Sequence, residues 1–135
     1  MAPSRVTVAV LTLLGLANLA RGGLHVFLPD SGAGSIAGFD LSAGGQTIVF
    51  LLASTGVGQM GAGVIDLLVA WRFRAFAAAL LAVEAGKAAL VMVVAFLTKP
   101  PPHEIPGRTG MIVGLTVLGA ALVWELARPR KRADG

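Results

Sequence analysis

AFAAALLAVEAGKAALVMVVAFL, residues 75–97, is the stretch whose reading decides the fold. At a rise of about 1.5 Å per residue it is long enough, as a helix, to cross roughly 30 Å of hydrocarbon. Its only charged residues are Glu84 and Lys87. Ionisable groups at that depth are costly, so they normally face a partner, a water pocket or a substrate path. The two are three residues apart, share a helical face and can form an ion pair.

Working outward, three further apolar segments are delimited by turn-rich or charged punctuation, giving expected spans at about 6–28, 46–70, 75–97 and 109–127. The predicted fold is all-α, a four-transmembrane-helix antiparallel bundle forming one domain over 1–127, with 128–135 a basic cytoplasmic tail. Composition agrees: 56% of residues are hydrophobic, 13% are charged and the mean hydropathy is +0.81. A soluble domain would carry about a quarter charged residues. The first span is interrupted at Arg21-Gly22-Gly23. Read instead as a signal peptide, MAPSR would be the basic region and VTVAVLTLLGLANLA the apolar one. Cleavage after Ala20 would then leave Asn18 at the minus-three position, a poor fit, so a full span reaching LHVFL is preferred.

The connections differ in character. Residues 29–45, PDSGAGSIAGFDLSAGG, form a Gly/Ser-rich loop; Trp71-Arg72-Phe73-Arg74 is a tight basic turn that should make spans two and three antiparallel neighbours. The segment 99–108, KPPPHEIPGR, is stiffened by successive prolines. Arg5, Arg72, Arg74, Arg128, Arg130, Lys131 and Arg132 fall on one side, and Arg21, Lys99 and Arg108 on the other. The positive-inside rule then places both termini in the cytoplasm of a plasma (inner) membrane protein. Trp71 and Trp124 fall at the same interface, where an indole buries its ring and keeps its N–H wet.

Several function classes drop out. The charge of +4 sits at span ends rather than along a folded stripe, so nucleic acid is not an expected partner. With no cysteine, thiolate metal sites, disulfides and Cys nucleophiles are excluded. Gly32, Gly34 and Gly38 do not fit a nucleotide-binding glycine pattern, no Ser-x-x-Lys or G-x-S-x-G setting appears, and no tyrosine is present. No cofactor is expected.

Small residues allow the close helix contact that replaces hydrophobic drive in lipid. They are dense on span two (Ser54, Gly56, Gly58, Gly61, Ala62, Gly63), while Gly15, Gly86 and the pair Gly110/Gly114 mark the others. They predict either tight packing within the bundle or a homo-oligomer face on span two or four. Counting depth from the span ends brings Asn18, Gln59, Glu84, Lys87 and Thr116, from four helices, close to mid-membrane. Groups unsatisfied in hydrocarbon should converge inside the bundle. This cluster is read as internal glue, as a proton or ion site, or as a pocket where Glu84, with Lys87, is a candidate acid/base on a lipophilic substrate.

Asp66 and Glu125 are expected one turn inside the cytoplasmic edge as partners of Arg72, Arg74 and Arg128. An outer-edge polar group comprises Arg21, His25, Asp40, His103 and Arg108, with Arg21 either holding an anionic head group or pairing with Asp40 or Glu104. Two histidines without ligand spacing do not make a metal site, and none is expected.

The layout, with SIAGFDLSAGGQ leading into GVGQMGAGVIDLL and then VEAGK in a polar third span, resembles the small DoxX-like four-helix bacterial membrane proteins. That resemblance implies a multi-pass plasma-membrane protein and carries over no functional residues. The expected function is a non-enzymatic bundle or partner subunit in the lipid bilayer, with a lipophilic ligand or homo-oligomer as partner. The alternatives are a proton-coupled transporter or channel and an intramembrane acid/base enzyme.

Overall fold

Glycine spacing determines which helices meet. The computed structural model describes residues 3–101 and 103–128, in four long helices: α1 (Arg5–Phe27), α2 (Gly45–Trp71), α3 (Ala77–Val93) and α4 (Arg108–Ala127). A single 3-10 turn, Arg74–Phe76, leads into α3, and a wide turn, Val94–Thr98, extends it. There the Lys99 N–H donates to the Val94 carbonyl at 2.8 Å. All four are long and apolar enough to cross a membrane, with Arg74–Thr98 acting as one such unit, and there is no strand among the described residues.

The expected spans agree with these helices to within one or two residues. α1 runs unbroken through Arg21-Gly22-Gly23. It stops at Leu28 because Pro29 disfavours helical geometry before it. Of the basic tail, only Arg128 lies among the described residues.

α1 and α2 form the tight antiparallel pair. Gly15 lies against Gly63 and Gly22 against Gly56, so closely that a Cβ on Gly22 would stand 2.6 Å from the Gly56 carbonyl oxygen. A Cβ on Gly63 would stand 2.7 Å from that of Gly15. On each helix the two glycines are seven residues apart, Gly15 and Gly22 on α1 and Gly56 and Gly63 on α2, the period that keeps one seam facing the partner helix. Leu19 and Met60 pack over the glycines opposite them, as knobs over holes.

The expectation that spans two and three are close neighbours needs correcting. They are antiparallel and joined by a short turn, yet pack little against each other, and α3 packs mainly on α4. The seam explains this: it draws α2 onto α1, whereas Gly86 of α3 has nothing against it.

The buried apolar core is small: Leu11, Ala70, Ala77, Leu81, Ala85, Leu118 and Ala121. It fills the end of the bundle that holds the α2–α3 turn. Large apolar side chains point outward, with Leu13 67% and Phe50 68% exposed. That inside-out distribution suits a lipid solvent.

Candidate functional site

Above this core the four helices separate around a cavity of about 530 Å³. Each helix contributes one face at three-, four- and seven-residue spacing. α1 gives Leu14, Asn18 and Arg21; α2 gives Thr55, Gly58, Gln59 and Ala62; α3 gives Glu84, Lys87, Ala88 and Val91; α4 gives Met111, Gly114, Leu115 and Leu118. Three walls carry polar groups, and the α4 wall is apolar. Gly58 and Gly114 have open space where a side chain would project, so they widen the cavity.

Glu84 and Lys87 form an ion pair on the α3 wall. The Lys87 Nζ donates to both carboxylate oxygens, at 2.7 and 2.9 Å. The Glu84 side chain is 8% exposed and that of Lys87 53%, so the carboxylate faces inward and the ammonium faces open space. Asn18 donates through Nδ2 to Asp66 Oδ2 at 3.0 Å, joining α1 to α2 beneath the cavity. Asp66 is fully buried, within electrostatic reach of Glu84 and Lys87, and its Oδ1 has no hydrogen-bond partner among the described residues. Gln59 Oε1 is likewise buried without a partner among them.

Asn18, Gln59, Glu84 and Lys87 therefore line one cavity, and Arg21 from the outer-edge group joins them. Thr116 does not. It is exposed, away from the cavity, and its hydroxyl donates to the Ile112 carbonyl of its own helix at 2.9 Å. Counting residues along a helix could not fix which way Thr116 turned.

The remaining outer-edge residues are spent on loop structure. His25 Nδ1 donates to the Ser31 carbonyl and His103 Nε2 to the Ala37 carbonyl, each at 2.8 Å, so the two rings pin the 29–44 loop at two points. Asp40 accepts from the Ser42 N–H, and Arg108 pairs with Glu104 at 3.0 Å while lying over the Phe96 ring. Arg21 consequently pairs with neither Asp40 nor Glu104. Asp30 accepts from the Gly32, Gly34 and Ser35 N–H groups. Those backbone donors, Ser35 first, hold its carboxyl below the ordinary value. Among the described residues no three His, Asp or Glu side chains are grouped to hold a metal ion. A smaller cavity of about 310 Å³ lies beside His103, Glu104 and Arg108 and shares Met111 with the larger one.

The expected arginine partner of Asp66 also needs correcting. Asp66 is bonded to Asn18 instead. Glu125 keeps its expected ion pair with Arg128, at 3.5 Å, and also accepts from the Ser4 N–H at 3.0 Å and the Thr7 hydroxyl at 2.6 Å. Ser4 caps α1 by accepting from the Thr7 N–H, and α1 has no acidic residue in its first turn. Glu125 of α4 supplies that negative charge from another helix, where the helix dipole favours it. The spacing of Asp66 three residues after Gly63, on the α1-facing stripe, was the signal available for the first contact.

Comparison with known proteins adds nothing to this geometry: no family model matches the chain, and no curated protein or solved structure is significantly similar to it.

Proposed function

We propose that the chain is a small multi-pass plasma-membrane protein, with both termini cytoplasmic, working as a non-enzymatic bundle that holds a small lipophilic ligand at mid-membrane. It would act alone or as a partner subunit. The observation that carries this reading is the cavity itself: about 530 Å³, walled by all four helices and kept open by Gly58 and Gly114. Its volume falls in the range of about 300–1,000 Å³ typical of small-molecule sites. An internal-glue role for the polar groups would leave no such space and no unpartnered Gln59 oxygen. Glu84 has both oxygens engaged by Lys87, which speaks against a free acid or base and hence against enzymatic chemistry.

The orientation rests on the seven-to-three division of basic residues, and the DoxX-like affiliation, supported by the four-span layout, belongs to the same proposal. Self-association, where it occurs, would use the open Gly61 and Gly110 faces, because Gly15, Gly22, Gly56 and Gly63 are consumed within the chain.

Native mass spectrometry of protein released from nanodiscs tests the reading. Wild type should retain a small lipophilic molecule that Gly58→Phe, at unchanged thermal stability, does not. Equal retention by both would remove the cavity as the site.

Proton-coupled transport is the second reading, favoured by Asp66: a fully buried carboxyl group with one oxygen unpartnered and no cation bonded to it. On this reading Asp66, rather than the lysine-bound Glu84, carries the proton. Proton flux in proteoliposomes should then be abolished in Asp66→Asn; flux surviving that change would rule the mechanism out.

A further inference from the structure

The donors and acceptors lining the cavity do not balance, and the imbalance identifies a ligand class. Arg21 brings a guanidinium with five N–H donors, and among the described residues it makes no ion pair and no side-chain hydrogen bond. Lys87 has three ammonium donors, of which Glu84 takes two. Asn18 gives one amide N–H to Asp66 and keeps another. Gln59 brings an amide with two N–H donors beside a buried oxygen that, among the described residues, accepts from nothing. Against these stand few acceptors. Glu84 is held by Lys87, the Thr55 hydroxyl donates to its own helix at the Leu51 carbonyl, Asp66 is not part of the lining, and the Gln59 oxygen is the acceptor left open beside these donors. The lining carries two cations and one carboxylate. Opposite them, α4 offers Met111, Leu115 and Leu118, an apolar wall without a hydrogen-bonding side chain.

We infer that the cavity takes an amphipathic anion, with an oxygen-rich head on Arg21 and Lys87 and an alkyl tail along the α4 wall. The inference rests on the proposed reading of the cavity as a ligand site and names what fills it. Both a carboxylate and a phosphate monoester present the geometry a guanidinium binds in two-point fashion, so the shared chemistry is an oxyanion on a hydrocarbon chain. The depth agrees. Arg21 lies about 16 residues, roughly 24 Å at helical rise, along α1 from Arg5. Lys87 lies about 13 residues, roughly 20 Å, along α3 from Arg74. Both cations thus stand in the half of the bundle away from the basic turn, one slightly beyond the other, as the head of a single inserted chain requires.

The test uses the full chain in nanodiscs of zwitterionic phosphatidylcholine, which has no net charge, with decyl phosphate, decanoate and decanol as probes, read by native mass spectrometry and by thermal stabilisation. Wild type should retain both anions at least about tenfold more tightly than decanol. Arg21→Gln should lose that preference while binding decanol as before. Inorganic phosphate alone should not displace decyl phosphate at comparable concentration; displacement would overturn the requirement for a tail. Equal retention of decanol and the anions, or an anion preference that survives Arg21→Gln, would overturn the anion assignment and leave the cavity standing as a site. If wild type binds none of the three chains any better than Gly114→Phe does, the cavity reading fails with it.

Discussion

Glycines on the two sides of this bundle do opposite work. At the α1–α2 seam, Gly15, Gly22, Gly56 and Gly63 bring two backbones into contact, and any side chain there would strike a carbonyl oxygen. On the facing walls, Gly58 and Gly114 bring nothing together; their missing side chains are part of the cavity. One pair of helices is thus fused by what glycine permits, and the other elements are held apart by what glycine leaves empty. Glycine content alone does not separate these roles. Seven-residue register against a matching partner does.

The sharpest way to break this contrast is to fill both kinds of position. Gly56→Leu should destabilise the fold by about 3 kcal/mol or more, because the new Cβ meets the Gly22 carbonyl oxygen and the His25 Cβ rather than a yielding side chain. Gly61→Leu, on an open face of the same helix, should leave thermal stability nearly unchanged. Similar losses in both variants would refute the seam.

A smaller effect belongs to the cavity wall. Lys87→Met removes the donor from both oxygens of a buried carboxylate and should destabilise by about 1–3 kcal/mol. Adding Glu84→Gln should recover much of that loss, because the amide leaves no uncompensated charge. A double mutant as damaged as the sum of the singles would contradict the pair's self-sufficiency.

At the closed end, Glu125→Ala should cost about 1 kcal/mol by withdrawing the acceptor of Ser4 and Thr7, with the loss appearing first as amide exchange in the opening turn of α1. The smallest effect concerns the outer loop. The folded-state pKa of Asp30 is lowered, so its contribution to loop order is full above its unfolded value of about 4 and is lost as pH falls through the lower folded value. The protection factors of the Gly32, Gly34 and Ser35 amides, taken relative to the intrinsic exchange rate at each pH, should fall across that window and stay flat from pH 5 to 7.

How much of this was legible beforehand follows the same divide. Span lengths, the Glu84–Lys87 pair and the depth of Asn18 and Gln59 depend on one-dimensional distance along a helix, which sequence records directly. Thr116 was misplaced because depth carries no azimuth, and a hydroxyl satisfied by its own helix has no need to face inward. Asp66 looked like an arginine partner because charge was the only visible criterion; in the fold it is bonded to Asn18. Glu125 does pair with Arg128, but charge gave no sign of its second contact, with an α1 terminus lacking an acid of its own. Arg21 looked like a loop-edge residue; continuous helix through Gly22-Gly23 turns it onto the cavity stripe one turn beyond Asn18.

The absence of native cysteine makes the cavity open to a direct measurement. Gly114→Cys faces the cavity, whereas Thr116→Cys, two residues along, lies exposed outside it. In proteoliposomes a charged, water-soluble methanethiosulfonate should modify Gly114→Cys at least about tenfold faster than Thr116→Cys, because a thiol in hydrocarbon does not ionise. Equal rates at the two positions would mean that no polar cavity opens between the four helices.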